Sequence, residues 1–185
     1  VASQNITDPS LGPTILEALA RGAHAQAALD RALSATPFGA YRQVLVVARE
    51  GAPAIHSGAH ALGIAASAIG TDAVSAGNLL AHPDVPAAMI AAFVEASGSL
   101  GARLLLALRS GLAQGGEAGP IHSAGLLVVR ELSWPIVDLR VDWSDNDPVA
   151  ALASIWDIYS PQIEDYVRRA INPAAAPSFG VPGDL

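Results

Sequence analysis

Hydrophobic and polar positions alternate with two different periods along this chain, and each marks a kind of element. Gln43-Val44-Leu45-Val46-Val47-Ala48 is almost continuously apolar and β-branched, the run expected of a strand covered on both faces. Glu50-Gly51 supplies a turn, and Pro53 to Ser57 returns as a shorter strand, so the two read as a hairpin. A second such pair lies at 124–130 and 136–143. In the latter, Val137, Leu139, Val141 and Trp143 alternate with Asp138, Arg140 and Asp142. Residues 1–10, ending in Asp8-Pro9-Ser10, read as a strand end and a turn. Residues 60–72 show no dominant period. Asp72 to Ala76 reads as a short strand running into Gly77-Asn78.

The helical period appears between these strands. Pro13 to Ala20 predicts a short helix stopped by Gly22. Ala23 to Ala35 predicts another, with Ala28, Leu29, Ala32 and Leu33 on one stripe. Asp84 with Pro86 opens a helix carrying Val85, Met89, Phe93 and Val94, which Gly98 and Ser99 interrupt. Leu100, Leu104, Leu105, Leu108 and Leu112 mark the next, stopped at Gly115-Gly116. The last begins with Asp147 as cap and Pro148 in its first turn, and Pro161 divides it.

Hairpins separated by helix pairs fit antiparallel sheets covered by helices, an α+β class, better than a parallel doubly wound sheet. No glycine-rich dinucleotide or phosphate-loop signature follows any strand. The expectation is a single domain over residues 1–171, followed by an irregular Pro/Ala/Gly-rich tail at 172–185 that lies on a neighbour.

Composition changes this picture in three places. Apolar residues make up 51% and charged residues 15% of 185, and much of the apolar share is alanine. Close helix–sheet contacts and a homodimeric or higher homo-oligomeric interface are therefore expected. There is no cysteine, which removes disulfides, thiolate metal sites and a cysteine nucleophile from this stretch. The formal charge of −7 is concentrated between Asp138 and Asp165. There Asp138, Asp142, Asp145, Asp147, Asp157, Glu164 and Asp165 face one Arg140, seven negative charges against one positive. That field repels phosphate backbones, so nucleic acid is not an expected partner. Residues 51–71 are uncharged but broken by turns and polar groups, so no membrane association is expected. With no signal pattern, the expected location is cytoplasmic.

Candidate chemistry is sparse. His56 and Ser57 are neighbours on a strand, so their side chains leave opposite faces and form no pair by themselves; the same holds for His122-Ser123. No G-x-S-x-G elbow and no H-E-x-x-H or H-x-H arrangement occurs. Neither a metal nor a cofactor is expected. Asp138, Arg140 and Asp142 share one face of a strand, either as a solvated sheet edge or as a charged cluster at a site mouth or subunit contact. Ser75-Ala76-Gly77-Asn78 is either a turn or a polar wall of an active site.

Several strings taken together carry a resemblance. They are Val1-Ala2-Ser3-Gln4-Asn5, Pro9-x-Leu11-Gly12-Pro13, Ser75-x-Gly77-Asn78-Leu79-Leu80, Ser123 to Val129, and Asp138 to Asp142. In this order, over essentially the whole chain, they resemble the bacterial family called domain of unknown function 1028. The tail from Asn172-Pro173 to Gly183-Asp184 looks like its proteobacterial branch. That resemblance implies the N-terminal-nucleophile hydrolase superfamily and its four-layer α–β–β–α sandwich of antiparallel sheets. It implies an amidohydrolase acting on a small amide or peptide-like substrate through an acyl-enzyme, with the α-amine of an N-terminal threonine as base. Relatives begin roughly forty residues before the equivalent of Val1, so the chain is expected to lack its N-terminal strands and the nucleophile. Gln4, Asn5, Ser75 and Asn78 are the supporting candidates. The alternative expectation is a non-catalytic homo-oligomeric scaffold or binding protein that retains the fold.

Overall fold

The computed structural model describes residues 1–181. Its contacts gather the chain into two compact units, Val1–Gly98 with Leu106–Pro120, and Ser99–Leu105 with Ile121–Leu185. Three small antiparallel sheets occur among the described residues, of three, two and two strands.

In the first unit, β1 (Ala2–Asn5), β2 (Arg42–Val46) and β3 (Ala54–Ser57) form a sheet in that order, with Ser3 opposite Val44 and Val44 opposite His56. The predicted hairpin is present. Val44, Val46 and Ala54 turn to the face covered by α1 (Leu11–Ala20) and α2 (Ala25–Ser34). They pack there against Leu11, Ile15, Ala18, Ala25, Ala28, Leu29 and Ala32. Alanines on the helix stripes let the helices come close to the sheet. Burying each valine contributes about 1.5–3 kcal/mol. The turn before α1 is locked by Asp8, whose Oδ1 accepts from Ser10 N at 2.9 Å and Ser10 Oγ at 2.7 Å. Gly58 ends β3 where a Cβ would lie 2.1 Å from the Ala40 carbonyl oxygen, so no larger residue fits without moving backbone.

The second sheet holds β4 (Ile64–Gly70) and β5 (Ala73–Leu80), with Ala68 opposite Ser75 and an irregularity between Ile64 and Ala66. The sequence shows only part of this hairpin, because β4 is built of small residues without a strong alternation. The structure continues β5 four residues past the expected strand end at Ala76. One face of the hairpin is covered by α3 (Val85–Glu95). A Cβ on Gly70 would lie 2.6 Å from Ile90 Cγ2, so this glycine sets how closely the helix seats. The end of β5 is extended by backbone bonds from Ala118 N to the Leu79 oxygen and from Ala81 N to the Gly116 oxygen.

In the second unit, β6 (Ala124–Val128) and β7 (Val137–Val141) pair with Leu126 opposite Leu139. Leu126, Val128, Val137 and Leu139 are buried on the face packed by α5 (Pro148–Tyr159). The expected cap is present: Asp147 Oδ1 accepts from Val149 N and Ala150 N, each at 2.9 Å. α4 (Leu100–Ala113) begins in this unit, and its Gly101 closely approaches the Trp156 ring of α5, where a Cβ would lie 2.4 Å from Cη2. Pro161 falls in a short 3-10 turn, Ser160–Gln162, which separates α5 from α6 (Ile163–Ile171) as expected. Arg130 bonds Glu164 of α6 through two nitrogens, at 2.8 and 3.3 Å. The tail is irregular beyond a 3-10 turn at Pro173–Ala175. It lies on its own chain, with Arg169 stacked 3.7 Å from the Phe179 ring centre and donating to the Pro177 oxygen at 3.1 Å. Residues 182–185 of the expected tail lie outside the described residues.

A candidate site built from side-chain amides

The face of the first sheet turned away from α1 and α2 carries polar groups. Gln43 follows Arg42 in β2, and alternation sends it opposite to Val44. It is fully buried. A buried amide must satisfy two donors and an acceptor, and Gln43 does. Its Nε2 donates to Ser57 Oγ of β3 at 2.9 Å and to the Gly77 oxygen of β5 at 3.1 Å, while its Oε1 accepts from Gln4 Nε2 at 2.6 Å. Gln4, opposite Gln43 on β1, gives its other amide hydrogen to the Ala76 oxygen at 2.9 Å. Two glutamines on adjacent strands thus grip two successive carbonyls of β5. The carbonyl partners fix the orientation of both amides, because an exchanged oxygen and nitrogen would set acceptor against acceptor.

The four residues proposed from sequence take different places. Gln4 is part of this linkage. Asn78 follows the gripped Ala76 and Gly77, half-buried, and its side chain makes no hydrogen bond among the described residues. Ser75 does not converge with them. It lies on the α3 face of β5, where its hydroxyl meets Met89 Sδ at 3.4 Å. Asn5 closes a corner: with φ of 70° at the end of β1, its Nδ2 donates to the Tyr41 oxygen at 2.5 Å and its Oδ1 accepts from Leu62 N at 3.1 Å. Both ends of that amide hold backbone.

Gln43 and Ser57 belong to this linkage although the sequence does not mark them as partners. The one available signal for Gln43 was a polar amide opening an otherwise apolar strand. Ser57 has no partner in its neighbour His56, whose Nε2 lies 2.8 Å from the Gly39 oxygen. Ser57 Oγ accepts from an amide, which has no lone pair able to take the serine proton. Its hydroxyl is a donor for a ligand and has no base beside it in this linkage. In the second unit, His122 stacks on the exposed Trp143 ring at 4.1 Å and its Nδ1 lies 3.0 Å from the Ser144 oxygen. Among the described residues no three His, Asp or Glu side chains gather as a metal site, and no helix is long and apolar enough to cross a membrane. The amide linkage is neutral and spends both donors of each glutamine internally, so the groups beside it left to meet a ligand are the Ser57 hydroxyl and the Asn78 amide.

Together these features define a mixed α+β protein of small antiparallel sheets with helices packed on them and a neutral amide linkage joining β1, β2, β3 and β5. The family behind that class is one of unknown function: the chain belongs to DUF1028, whose family model matches residues 1–152. A crystal structure of a DUF1028 protein from Silicibacter pomeroyi is similar over 91% of this chain and 73% of that one, with a TM-score of 0.81 and 27% identity. No curated protein matches the chain.

Proposed function

We propose that the chain is the scaffold of an amidohydrolase of the N-terminal-nucleophile type, its first two sheets and their covering helices forming the inner and outer layers of an α–β–β–α sandwich. The observation that carries this reading is the double glutamine grip on β5. It fixes the Ala76 and Gly77 carbonyls and leaves the neighbouring Asn78 amide unbonded. The fixed strand holds the Asn78 backbone in place, and its uncommitted N–H2 is the donor that this reading directs at a developing oxyanion. Ser57 has an amide, not a base, as its partner, so the attacking group in this reading is an N-terminal threonine outside the numbered residues. An acyl-enzyme ester forms on it, the amine leaves, and water releases the acid.

The test uses the protein as it exists in its natural host, offered a panel of chromogenic acyl amides and followed by intact mass. Turnover is expected with an acyl adduct that hydroxylamine removes. Asn78→Ala is expected to lower kcat by a factor of about 100–1,000 with little change in KM, the effect of losing one oxyanion donor. Absence of adduct and turnover across the panel sinks the reading in favour of the non-catalytic scaffold. Unchanged kcat in the Asn78 variant removes that residue from it.

A further inference from the structure

β5 changes the facing of its side chains near its end. Ser75 is buried on the α3 face, and strict alternation from it sends Gly77 and Leu79 to that face and Ala76, Asn78 and Leu80 to the other. Leu80 does not follow. It is buried, and its Cδ2 lies 2.5 Å from where a Gly77 Cβ would stand, so Leu80 shares the Gly77 side of the strand. The change falls in the irregular stretch of the ladder. Gly77 pairs with Ala66 and Leu80 with Ile64, which leaves Asn78 and Leu79 together opposite Ala65. Two residues against one make a β-bulge, a feature that re-aims the side chains around it.

Leu79 makes the bulge. Its φ is 52°, a left-handed backbone that a leucine rarely adopts. Three contacts hold it there. Its N–H donates to the Leu62 oxygen and its own oxygen accepts from Ala118 N, both at 2.8 Å. Gly63, itself left-handed with φ of 60°, packs so closely that a Cβ on it would come 3.1 Å from Leu79 Cα. Such a residue persists where its surroundings impose the conformation, and residues of this kind cluster at functional sites.

We infer that Leu79 is a positioning residue for the candidate site. Its left-handed turn lets Asn78 keep the face of Ala76, beside the glutamine grip, while Leu80 two residues later enters the core. Regular pairing would put Asn78 and Leu80 on one face, and one of the two would be misplaced. The catalytic consequence rests on the amidohydrolase reading, with Asn78 as the oxyanion donor; the geometric consequence does not.

The experiment compares the full protein from its natural host with Leu79→Asn and Leu79→Val, with circular dichroism as the check on folding. Asparagine accepts the left-handed region and is the conservative variant for the backbone, whereas a β-branched valine resists it. One readout is the nitrogen–proton NMR signal of the Asn78 side-chain amide, assigned by its loss in Asn78→Ala, which needs no substrate. The other is kcat and KM on any chromogenic acyl amide that is turned over. Leu79→Asn is expected to retain the wild-type amide signal and kcat. Leu79→Val is expected to shift the signal and to lower kcat about 100-fold with little change in KM, the effect of a group misplaced by about 1 Å. A role in stability alone would lower the unfolding midpoint and leave the kcat of folded protein as it was. A signal displaced in Leu79→Asn, or a folded Leu79→Val with undisturbed signal or wild-type kcat, overturns the inference. Absence of turnover in the wild type sinks the amidohydrolase reading alone, and the amide signals still decide the positioning. If Leu79→Val does not fold, Leu79→Asn decides it.

Discussion

Gln43 shows how much one side chain can be asked to hold. Fully buried, it joins three strands through Gln4, Ser57 and the Gly77 carbonyl. Gln43→Leu keeps the volume but strands these partners without bonds. Each buried polar group left unsatisfied costs about 1–3 kcal/mol, so a loss of at least about 2 kcal/mol is expected from urea unfolding midpoints. Ser57→Ala, at the exposed end of the linkage, is expected to cost about 1 kcal/mol or less. Equal losses in the two variants would contradict the placement of Gln43 as the hub. This hub was only half legible. The chain displays a polar residue opening an apolar strand, but its three partners lie 14, 34 and 39 positions away, and no periodicity links them. Asn5 and Ser75 were legible as polar residues near turns and strands. Which face each would take depended on the αL conformation at Asn5 and on the α3 packing beside Ser75.

Elements were more readable than their contacts. The β2–β3 and β6–β7 hairpins follow from runs and alternation flanked by turn residues. α5 follows from Asp147-Pro148, whose cap bonds are present. β4 was not readable: Ile-Ala-Ala-Ser-Ala-Ile-Gly has the size needed to lie beneath α3, and small side chains give neither period a clear signal. Glycine also sets element spacing at the start of α4. A Cβ on Gly101 would sit 2.4 Å from Trp156 Cη2, and Trp156 is itself buried. Gly101→Ala therefore gains helix propensity but overpacks a ring that cannot bend. A net loss of about 1–3 kcal/mol is expected, read by thermal unfolding with Trp fluorescence. A stabilised variant would show that the α4–α5 contact gives way freely.

At the scale of the whole molecule, charge sets how stability responds to alkaline pH. The chain carries a formal −7 at neutral pH, and every further ionisation adds to self-repulsion. Tyr159 adds a specific contribution: burial raises its pKa, the nearby Tyr166 raises it further, and its hydroxyl donates to the Ile136 oxygen at 3.1 Å. The folded state therefore holds this proton more tightly than the unfolded chain does. The stability it contributes is complete below the unfolded value of about 10 and is lost as pH rises through the higher folded value. Tyr159→Phe is expected to flatten that alkaline decline in urea titrations between neutral pH and pH about 11, at a cost near 1 kcal/mol at neutral pH for the missing bond. An alkaline limb unchanged in the variant would assign the decline to general repulsion.

Local chemistry is what the sequence by itself determined: which strongly periodic segments become strands or helices, the cap and breakers of α5, the acidic bias between Asp138 and Asp165, and the strings that mark the family. Those depend on neighbours within a turn or a few residues, where period, caps and breakers act directly. Tertiary structure alone decided which polar groups meet. Gln4 reaches Ala76 across 72 positions, and Ser75 turns to a methionine. Each of these follows from sheet register and the closeness of small-residue packing, which set side-chain facing one residue at a time and leave no periodic trace along the chain.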